Sequence, residues 1–260
     1  MTGRFKHLTG VILDWAGTIV DHGSLAPVVA MQRVFAAAGI EVTPTDIRAP
    51  MGLPKKEHIR AIAEALHLDA DVDALYASFI PEQMQALTAH SDVITGVSDT
   101  VTRLRTRGLK IGSTTGYSRA MLDVVLQHAR TQGLAPDCAL APEDVGGGRP
   151  MPWMCYEAAV RMRAYPLWAL VKIGDTEADI AEGRNAGTWT IGVARTGNEI
   201  GLSERDWHAL PEDRQSELLA CARDRLRAAR ADYVIDAVAD VEPTLEAIDA
   251  RLERGERPDC

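Results

Sequence analysis

The segment VILDWAGTIVD, residues 11–21, decides how the rest of this 260-residue chain is interpreted. Three apolar residues run directly into Asp14, and a turn of mostly small residues follows. This pattern is typical of a buried strand with an acid at its carboxyl end, where open α/β sheets bind their ligands. Because a buried carboxylate is costly unless it is paired or bound to a cation, we expect partners for Asp14 elsewhere in the chain.

The composition limits the class of protein. With 46% hydrophobic residues, the chain can bury a full core, as one large domain or as one domain with a small insertion. The formal net charge of −9 argues against a general nucleic-acid partner. No apolar run is long enough for a signal peptide or a membrane helix, so we expect a cytoplasmic protein without a membrane partner. Four cysteines lie far apart without CxxC spacing, which is typical of reduced thiols: Cys138, Cys155, Cys221 and Cys260.

The order of apolar patterns predicts an α/β fold. Strand-like runs alternate with amphipathic helices, which is typical of a parallel sheet with helices on both faces. After the first strand, further strands are predicted at residues 109–115, 138–141, 169–174, 189–193 and 233–235. Helices are predicted at residues 27–38, 55–66, 72–90, 152–162, 210–229 and 241–252. No strand pattern occurs between residues 21 and 92, so a helical block separates the first two strands.

Two features refine this prediction. Pro81 lies inside the predicted helix 72–90 and is expected to kink or split it. The polar tail from Glu253 is expected to be disordered.

Two predicted strands end in acids. Asp14 ends the first strand, and Asp175 ends the strand at 169–174, with Asp179 four residues later. Because the carboxyl ends of parallel strands lie at one edge of the sheet, Asp14 and Asp175 are expected to converge. Two carboxylates with additional oxygen ligands are what Mg²⁺ uses, usually beside a phosphate-like group.

Two further elements are suited to an anion. The strand at 109–115 runs into Gly116 and offers hydroxyl and backbone N–H donors near a helix N-terminus. Arg149, between Gly148 and Pro150, adds the fixed positive charge that a phosphoryl group needs. Taken singly, an aspartate at a strand end is most often a cap or turn residue, and an arginine in such a loop is usually solvated. The occurrence of all four elements in one order is far more specific.

These four elements resemble the motifs of the haloacid dehalogenase superfamily. The matching residues are Asp14-Trp15-Ala16-Gly17-Thr18, Thr115, Arg149, and Gly174-Asp175-Thr176 with Asp179. Within the superfamily the chain resembles the phosphonatases, in stretches spread over most of its length: residues 14–23, 50–58, 112–117, 148–156 and 183–189. The resemblance implies a Rossmann-like core, residues 1–22 and 93–260, with a small helical cap, residues 23–92, inserted after the first strand.

The resemblance also implies roles for individual residues. Asp14 attacks phosphorus and carries a covalent aspartyl-phosphate, while Thr115 and Arg149 hold the phosphoryl oxygens. Mg²⁺ is held by Asp14, the Ala16 carbonyl and Asp175, with Asp179 supporting its water ligands. Met51 lies beside the substrate, although packing within the cap is the simpler explanation of this residue. Gly116 and Tyr117 line the substrate site, or Tyr117 only packs on the following helix.

Ala16 indicates which kind of bond is cleaved, a phosphoester bond or a carbon–phosphorus bond. Phosphoester hydrolases of the superfamily usually have an aspartate there, which protonates the leaving alkoxide. Ala16 cannot do so, which is a defect for ester cleavage. It is no defect for carbon–phosphorus cleavage beside an aldehyde, where a lysine iminium accepts the electrons and the leaving group is a neutral enamine.

Lys55 is the candidate for that lysine. It follows Pro54 in the first turn of a predicted helix, where the helix dipole and the adjacent Lys56 disfavour the ammonium form. Lys55 and His58 share a helix face, whereas Lys56 points with Arg60, so His58 is expected to relay protons during imine formation. The alternative is that both lysines are the solvated start of a helix.

The predicted function is therefore Mg²⁺-dependent hydrolysis of phosphonoacetaldehyde, a small phosphonate aldehyde, to acetaldehyde and phosphate. One alternative is a haloacid dehalogenase-type phosphatase or phosphonatase acting on a related phosphonate or phosphate. Another is a phospho-accepting regulatory domain, against which the chain length and the lysine-bearing cap argue. The resemblance implies a homodimer. It also shows a shorter cap between residues 67 and 92 than in other phosphonatases, so the coverage of the site is in question.

Overall fold

Six parallel strands form one sheet in the computed structural model, which describes residues 3–259. The strands are β1 (Gly10–Leu13), β2 (Lys110–Thr114), β3 (Cys138–Leu140), β4 (Leu170–Gly174), β5 (Trp189–Val193) and β6 (Tyr233–Ile235). Their order in the sheet is β3-β2-β1-β4-β5-β6. The Rossmann-like α/β prediction is confirmed, because this is the strand order of that fold. Cys260 lies outside the described residues.

The described residues also form α-helices. They are α1 (Leu25–Ala37), α2 (Pro44–Arg48), α3 (Lys55–Ala65), α4 (Val72–Leu87), α5 (Val97–Thr106), α6 (Arg119–Thr131), α7 (Trp153–Met162), α8 (Glu177–Ala186), α9 (Glu204–Ala209), α10 (Glu212–Ala228) and α11 (Glu242–Glu253). Every residue of β1, β4 and β5 is buried, which explains why these strands are mostly apolar and do not alternate between apolar and polar residues. Within the described residues, no helix is long and apolar enough to cross a membrane.

Helices α1 to α4 form the insertion between the first two strands, and no strand interrupts them within residues 25–87. Helix α1 packs chiefly on α4. The chain leaves and re-enters the sheet region at adjacent points, where the Asp21 backbone N–H donates to the Asp92 carbonyl over 3.3 Å. This adjacency lies beside the boundaries predicted at residues 22/23 and 92/93, which stay a proposal for how the chain divides into core and cap.

Two helix predictions were wrong in detail. Helix α4 runs unbroken through Pro81, because its buried face, including Leu75 and Phe79, packs on α1 and α3 and offsets the hydrogen bond that proline removes. The helix predicted at 210–229 begins two residues later, and the separate short helix α9 precedes it. Pro211 explains this break, since the residue before a proline avoids helical dihedral angles.

The predicted disorder of the C-terminal tail was also wrong. The Arg257 guanidinium lies 3.7 Å from the centre of the Trp168 ring. Arg251 pairs with Glu256 over 2.6 Å. A cation–π contact and an ion pair therefore hold the tail against the domain.

Candidate active site

Strand register brings the predicted site residues to one edge of the sheet. Leu13 of β1 lies opposite Ser113 of β2 and Ile173 of β4, so the residues that follow these strands emerge side by side. Strand β1 lies between β2 and β4, where the strand order reverses direction along the chain. Such a switch point leaves a crevice at the carboxyl ends of the strands.

Three buried carboxylates meet in this crevice. Oxygen atoms of Asp14, Asp175 and Asp179 lie within 4.8 Å of one another, and at most 5% of each residue is exposed. Burial, together with the nearby Asp179, raises the pKa of Asp14. Burial raises the pKa of Asp175 well above its usual range, and Asp14 adds to the effect. Ionising the cluster is therefore costly without additional positive charge.

Asp175 uses one carboxylate oxygen for hydrogen bonds to the protein, and the other oxygen has no donor among the described residues. Its Oδ2 accepts hydrogen bonds from the Ser24 hydroxyl over 3.0 Å and from the Asn198 backbone N–H over 2.7 Å. Its Oδ1 is buried and has no hydrogen-bond partner among residues 3–259. A buried carboxylate oxygen without a donor is suited to a metal ion.

Two buried cations partly balance these acids. The Nη2 of Arg149 lies 2.6 Å from Asp14 Oδ1 and 3.0 Å from Asp179 Oδ1. The Nζ of Lys172 lies 2.6 Å from Asp179 Oδ1. These two attractions lower the pKa of Asp179 against the effect of burial.

The charge count fits a divalent metal ion. Including the buried Glu182, four carboxylates face the two cations Arg149 and Lys172, which leaves two formal negative charges. Hard oxygen ligands with this surplus match a hard divalent cation. The residues present could therefore bind a metal ion.

Lys55 is buried in the same crevice. Only 5% of the residue is exposed, and its Nζ lies 5.3 Å from the centre of the Tyr117 ring. Burial lowers the pKa of Lys55 to about 8, although Asp14 and other acids oppose the effect. The neighbouring Lys56 instead has a side chain that is 40% exposed and pairs with Asp73.

His58 is buried next to this lysine in α3. Its Nε2 lies 2.7 Å from the Ile47 carbonyl, which can only accept, so Nε2 carries the proton and donates. The unprotonated Nδ1 is buried without a partner in the described part of the chain. Burial and the charge of Lys55 lower the pKa of His58 to about 3, so the ring is neutral.

Most of the predicted residues line one small cavity of about 20 Å³, but His58 and Asp179 are not part of its wall. Its wall includes Asp14, Ala16, Met51, Lys55, Thr115, Gly116, Tyr117, Arg149 and Asp175. A wider, open cleft of about 370 Å³ adjoins it and shares Lys55, Gly116 and Tyr117. Residues of the inserted helical segment cover the site, because Met51 and Lys55 are almost fully buried and form part of the cavity wall.

Four other buried residues contact the site and were not predicted: Ser24, Lys172, Glu182 and Asn198. Lys172 had a visible signal, since a charged residue in the middle of an otherwise apolar strand needs a buried partner. Nothing in the local sequence marks Ser24 or Asn198 as part of a site.

Known proteins resemble this chain in sequence and in fold. A family model described as haloacid dehalogenase-like hydrolase matches residues 11–193. A phosphonoacetaldehyde hydrolase of Nitratidesulfovibrio vulgaris is 44% identical, over 95% of this chain and 93% of the relative. One of Paraburkholderia xenovorans is 40% identical, over 97% of this chain and 100% of the relative. The crystal structure of a phosphonoacetaldehyde hydrolase-like protein from Oleispira antarctica superposes with a TM-score of 0.95 at 38% identity, covering 99% of this chain and 98% of that one.

Proposed function

The chain belongs to the haloacid dehalogenase-like hydrolases, and from its site we propose that it hydrolyses the carbon–phosphorus bond of phosphonoacetaldehyde. The products are acetaldehyde and phosphate. The observation that carries this assignment is a buried lysine with a lowered pKa in the same cavity as a strand-end aspartate. Aspartate chemistry at phosphorus needs no such lysine, whereas an aldehyde substrate does.

We propose that the reaction begins at Lys55. Its neutral amine attacks the aldehyde carbon, and loss of water gives an iminium joined to the side chain. The fixed tautomer of His58 supports a role in this step, because its unprotonated Nδ1 can accept a hydrogen bond from a reacting group and guide proton movement while the ring stays neutral. The Nζ of Lys55 lies over the ring of Tyr117, and this contact helps to position the amine.

Asp14 then attacks phosphorus. The electron pair of the carbon–phosphorus bond moves toward the iminium, so the leaving group is a neutral enamine and the phosphoryl group is bound to Asp14. Arg149 and Thr115 line the same cavity and hold the phosphoryl oxygens in this proposal. One water then cleaves the aspartyl-phosphate. The enamine takes up a proton on carbon, and a second water releases acetaldehyde and restores Lys55, so that one water is consumed overall.

Mg²⁺ is the proposed metal ion; Asp14, the Ala16 carbonyl and Asp175 would hold it, and Asp179 would support it from beside them. When bound, it supplies positive charge that neutralises the phosphoryl oxygens and the acid cluster. The free Oδ1 of Asp175 and the surplus of two negative charges support this assignment.

Trapping with borohydride tests the proposal. Reduction in the presence of phosphonoacetaldehyde, followed by peptide mapping, should give an adduct on Lys55, and Lys56→Met should still form it. No adduct would remove the Schiff-base mechanism, and an adduct on Lys56 would show that the wrong lysine was chosen. Because Ala16 cannot protonate an alkoxide, p-nitrophenyl phosphate should be a poor substrate. Efficient turnover of it would favour a phosphatase instead.

Two further proposals concern assembly and motion. We propose that residues 23–92 move as a cap, since a cavity of about 20 Å³ must open to admit substrate. The homodimer and the cytoplasmic location stay predictions from the sequence, and light scattering of the purified protein checks the first of them.

A further inference from the structure

Glu182 and Lys172 are fully buried charged residues that the mechanism above does not use. Glu182 is on α8, one turn after Asp179, and Lys172 is in the middle of β4. Burial of charges at this depth is costly, so it calls for a function or a compensating set of contacts.

The contacts of Glu182 converge on one oxygen atom. Its Oε2 accepts hydrogen bonds from Arg149 Nε over 3.0 Å and from the Thr114 hydroxyl over 3.0 Å. The Nζ of Lys172 lies 3.4 Å from the same atom. Three donors from β2, β4 and the loop that carries Arg149 thus meet at one carboxylate oxygen.

The guanidinium of Arg149 is oriented by these contacts. It is a rigid plane, so two anchored nitrogens determine its direction. Glu182 anchors Nε, while the Thr114 carbonyl, 3.0 Å away, accepts from Nη2. In this orientation Nη2 reaches Asp14 Oδ1 over 2.6 Å. Loss of the Nε anchor frees the plane to rotate about the side-chain bonds of Arg149.

We propose that Glu182 is a positioning residue for carbon–phosphorus cleavage, which it serves by fixing the Arg149 guanidinium toward Asp14 and the phosphoryl oxygens. Glu182 itself does not touch substrate. Lys172 donates to Asp179 Oδ1 over 2.6 Å, so it links Asp179 and Glu182 within the same cluster. This inference rests on the proposed function, because it assigns Arg149 to the phosphoryl group.

Two conservative variants separate the effect of side-chain length at position 182 from the effect of its charge. Glu182→Asp keeps the charge but shortens the side chain by one methylene, so it withdraws the acceptor from Arg149 Nε. Glu182→Gln keeps an oxygen at the same distance and removes the charge. Positioning predicts that Glu182→Asp lowers kcat on phosphonoacetaldehyde by about 10–100-fold, and that Glu182→Gln loses less than about tenfold. Glu177→Asp and Glu177→Gln are matched controls at the exposed start of the same helix.

A second readout separates positioning from a folding defect. Imine formation between acetaldehyde and Lys55 involves no phosphoryl group, so borohydride trapping with acetaldehyde should proceed at the wild-type rate in both Glu182 variants. Trapping that falls in parallel with kcat would overturn the proposal in favour of a structural role. Equal losses of kcat in the two variants, or a larger loss in Glu182→Gln, would also overturn the proposal, because the charge of Glu182 and not the length of its side chain would then determine the rate. If the wild-type protein neither turns over phosphonoacetaldehyde nor forms the acetaldehyde adduct, the proposed function itself fails.

Discussion

Replacement of Gly116 by alanine should uncouple the cap from the chemistry. Gly116 follows Thr115 at the end of β2 and lies beneath the loop before α3. A methyl group on its α-carbon would lie 2.6 Å from the Leu53 carbonyl oxygen and 2.8 Å from the Gly52 carbonyl oxygen. Ordinary contacts begin at 3.4 Å, so the loop would have to retreat by the difference of 3.4 and 2.6 Å, about 0.8 Å. Both opposing atoms are backbone, so no side chain can rotate away.

This retreat would displace Lys55, which follows Leu53 by two residues. The Lys55 amine and the Asp14 carboxylate must act on the same small substrate, and misplacement of a reacting group by about 1 Å costs about 10²-fold in rate. We therefore expect Gly116→Ala to lower kcat by about 10²-fold. The free energy of unfolding should change little, because the cap can lift from the core without opening the sheet.

Phosphate release from phosphonoacetaldehyde measures the effect, and urea unfolding monitors stability. Gly147→Ala is a matched control in the adjoining cleft, where the added methyl would meet only the Trp153 ring at an ordinary 3.4 Å. The control should behave as wild type. Gly116→Ala with kcat within about threefold of wild type would refute the reasoning, since the contact between the cap loop and β2 would then not set the reactive geometry.

Three further outcomes are expected. Burial lowers the pKa of Lys55 to about 8. The fraction of neutral amine, and with it the rate at subsaturating substrate, should therefore increase about tenfold per pH unit up to pH 8 and then level off. A pH–rate profile with its midpoint near the ordinary lysine pKa would contradict this prediction. Asp175→Asn should weaken Mg²⁺ binding by at least about tenfold in calorimetric titration, because it removes a charged oxygen ligand, and unchanged affinity would exclude Asp175 as a ligand. Gln83 is fully buried in α4, and neither of its amide atoms has a hydrogen-bond partner within residues 3–259. Gln83→Met should therefore raise the free energy of unfolding, measured in urea, by about 1–3 kcal/mol. Gln85→Met, on the exposed face of the same helix, should leave it unchanged.

The fold and the main site residues could be predicted because their signals are local. An apolar run that ends in an acid describes a strand and its carboxyl end at once, as for Asp14 and Asp175. Parallel strands place all such ends at one edge of the sheet, so chain order alone predicted that Thr115 would join them. Helix periodicity likewise predicted the insertion, whereas the break expected at Pro81 does not occur because packing against α1 and α3 keeps α4 intact.

The choice of Lys55 over Lys56 shows where local signals become insufficient. Spacing along a helix predicted only that the two lysines point in different directions. The structure buries Lys55 against Tyr117 and leaves Lys56 at the surface beside Asp73. A pKa depends on how much water surrounds the group, which is a property of the packed molecule.

Residue types and their order in the chain therefore determined that this protein has an acidic sheet edge beside a helical insertion. The tertiary structure decided which atoms of the site Ser24, Lys172, Glu182 and Asn198 contact, since their partners include groups from other strands and loops. The physical reason is that desolvation and charge pairing act through space between residues from different strands and loops. The sequence shows which side chain types are present, whereas only the packed fold decides which of them are buried next to one another and lose their hydration.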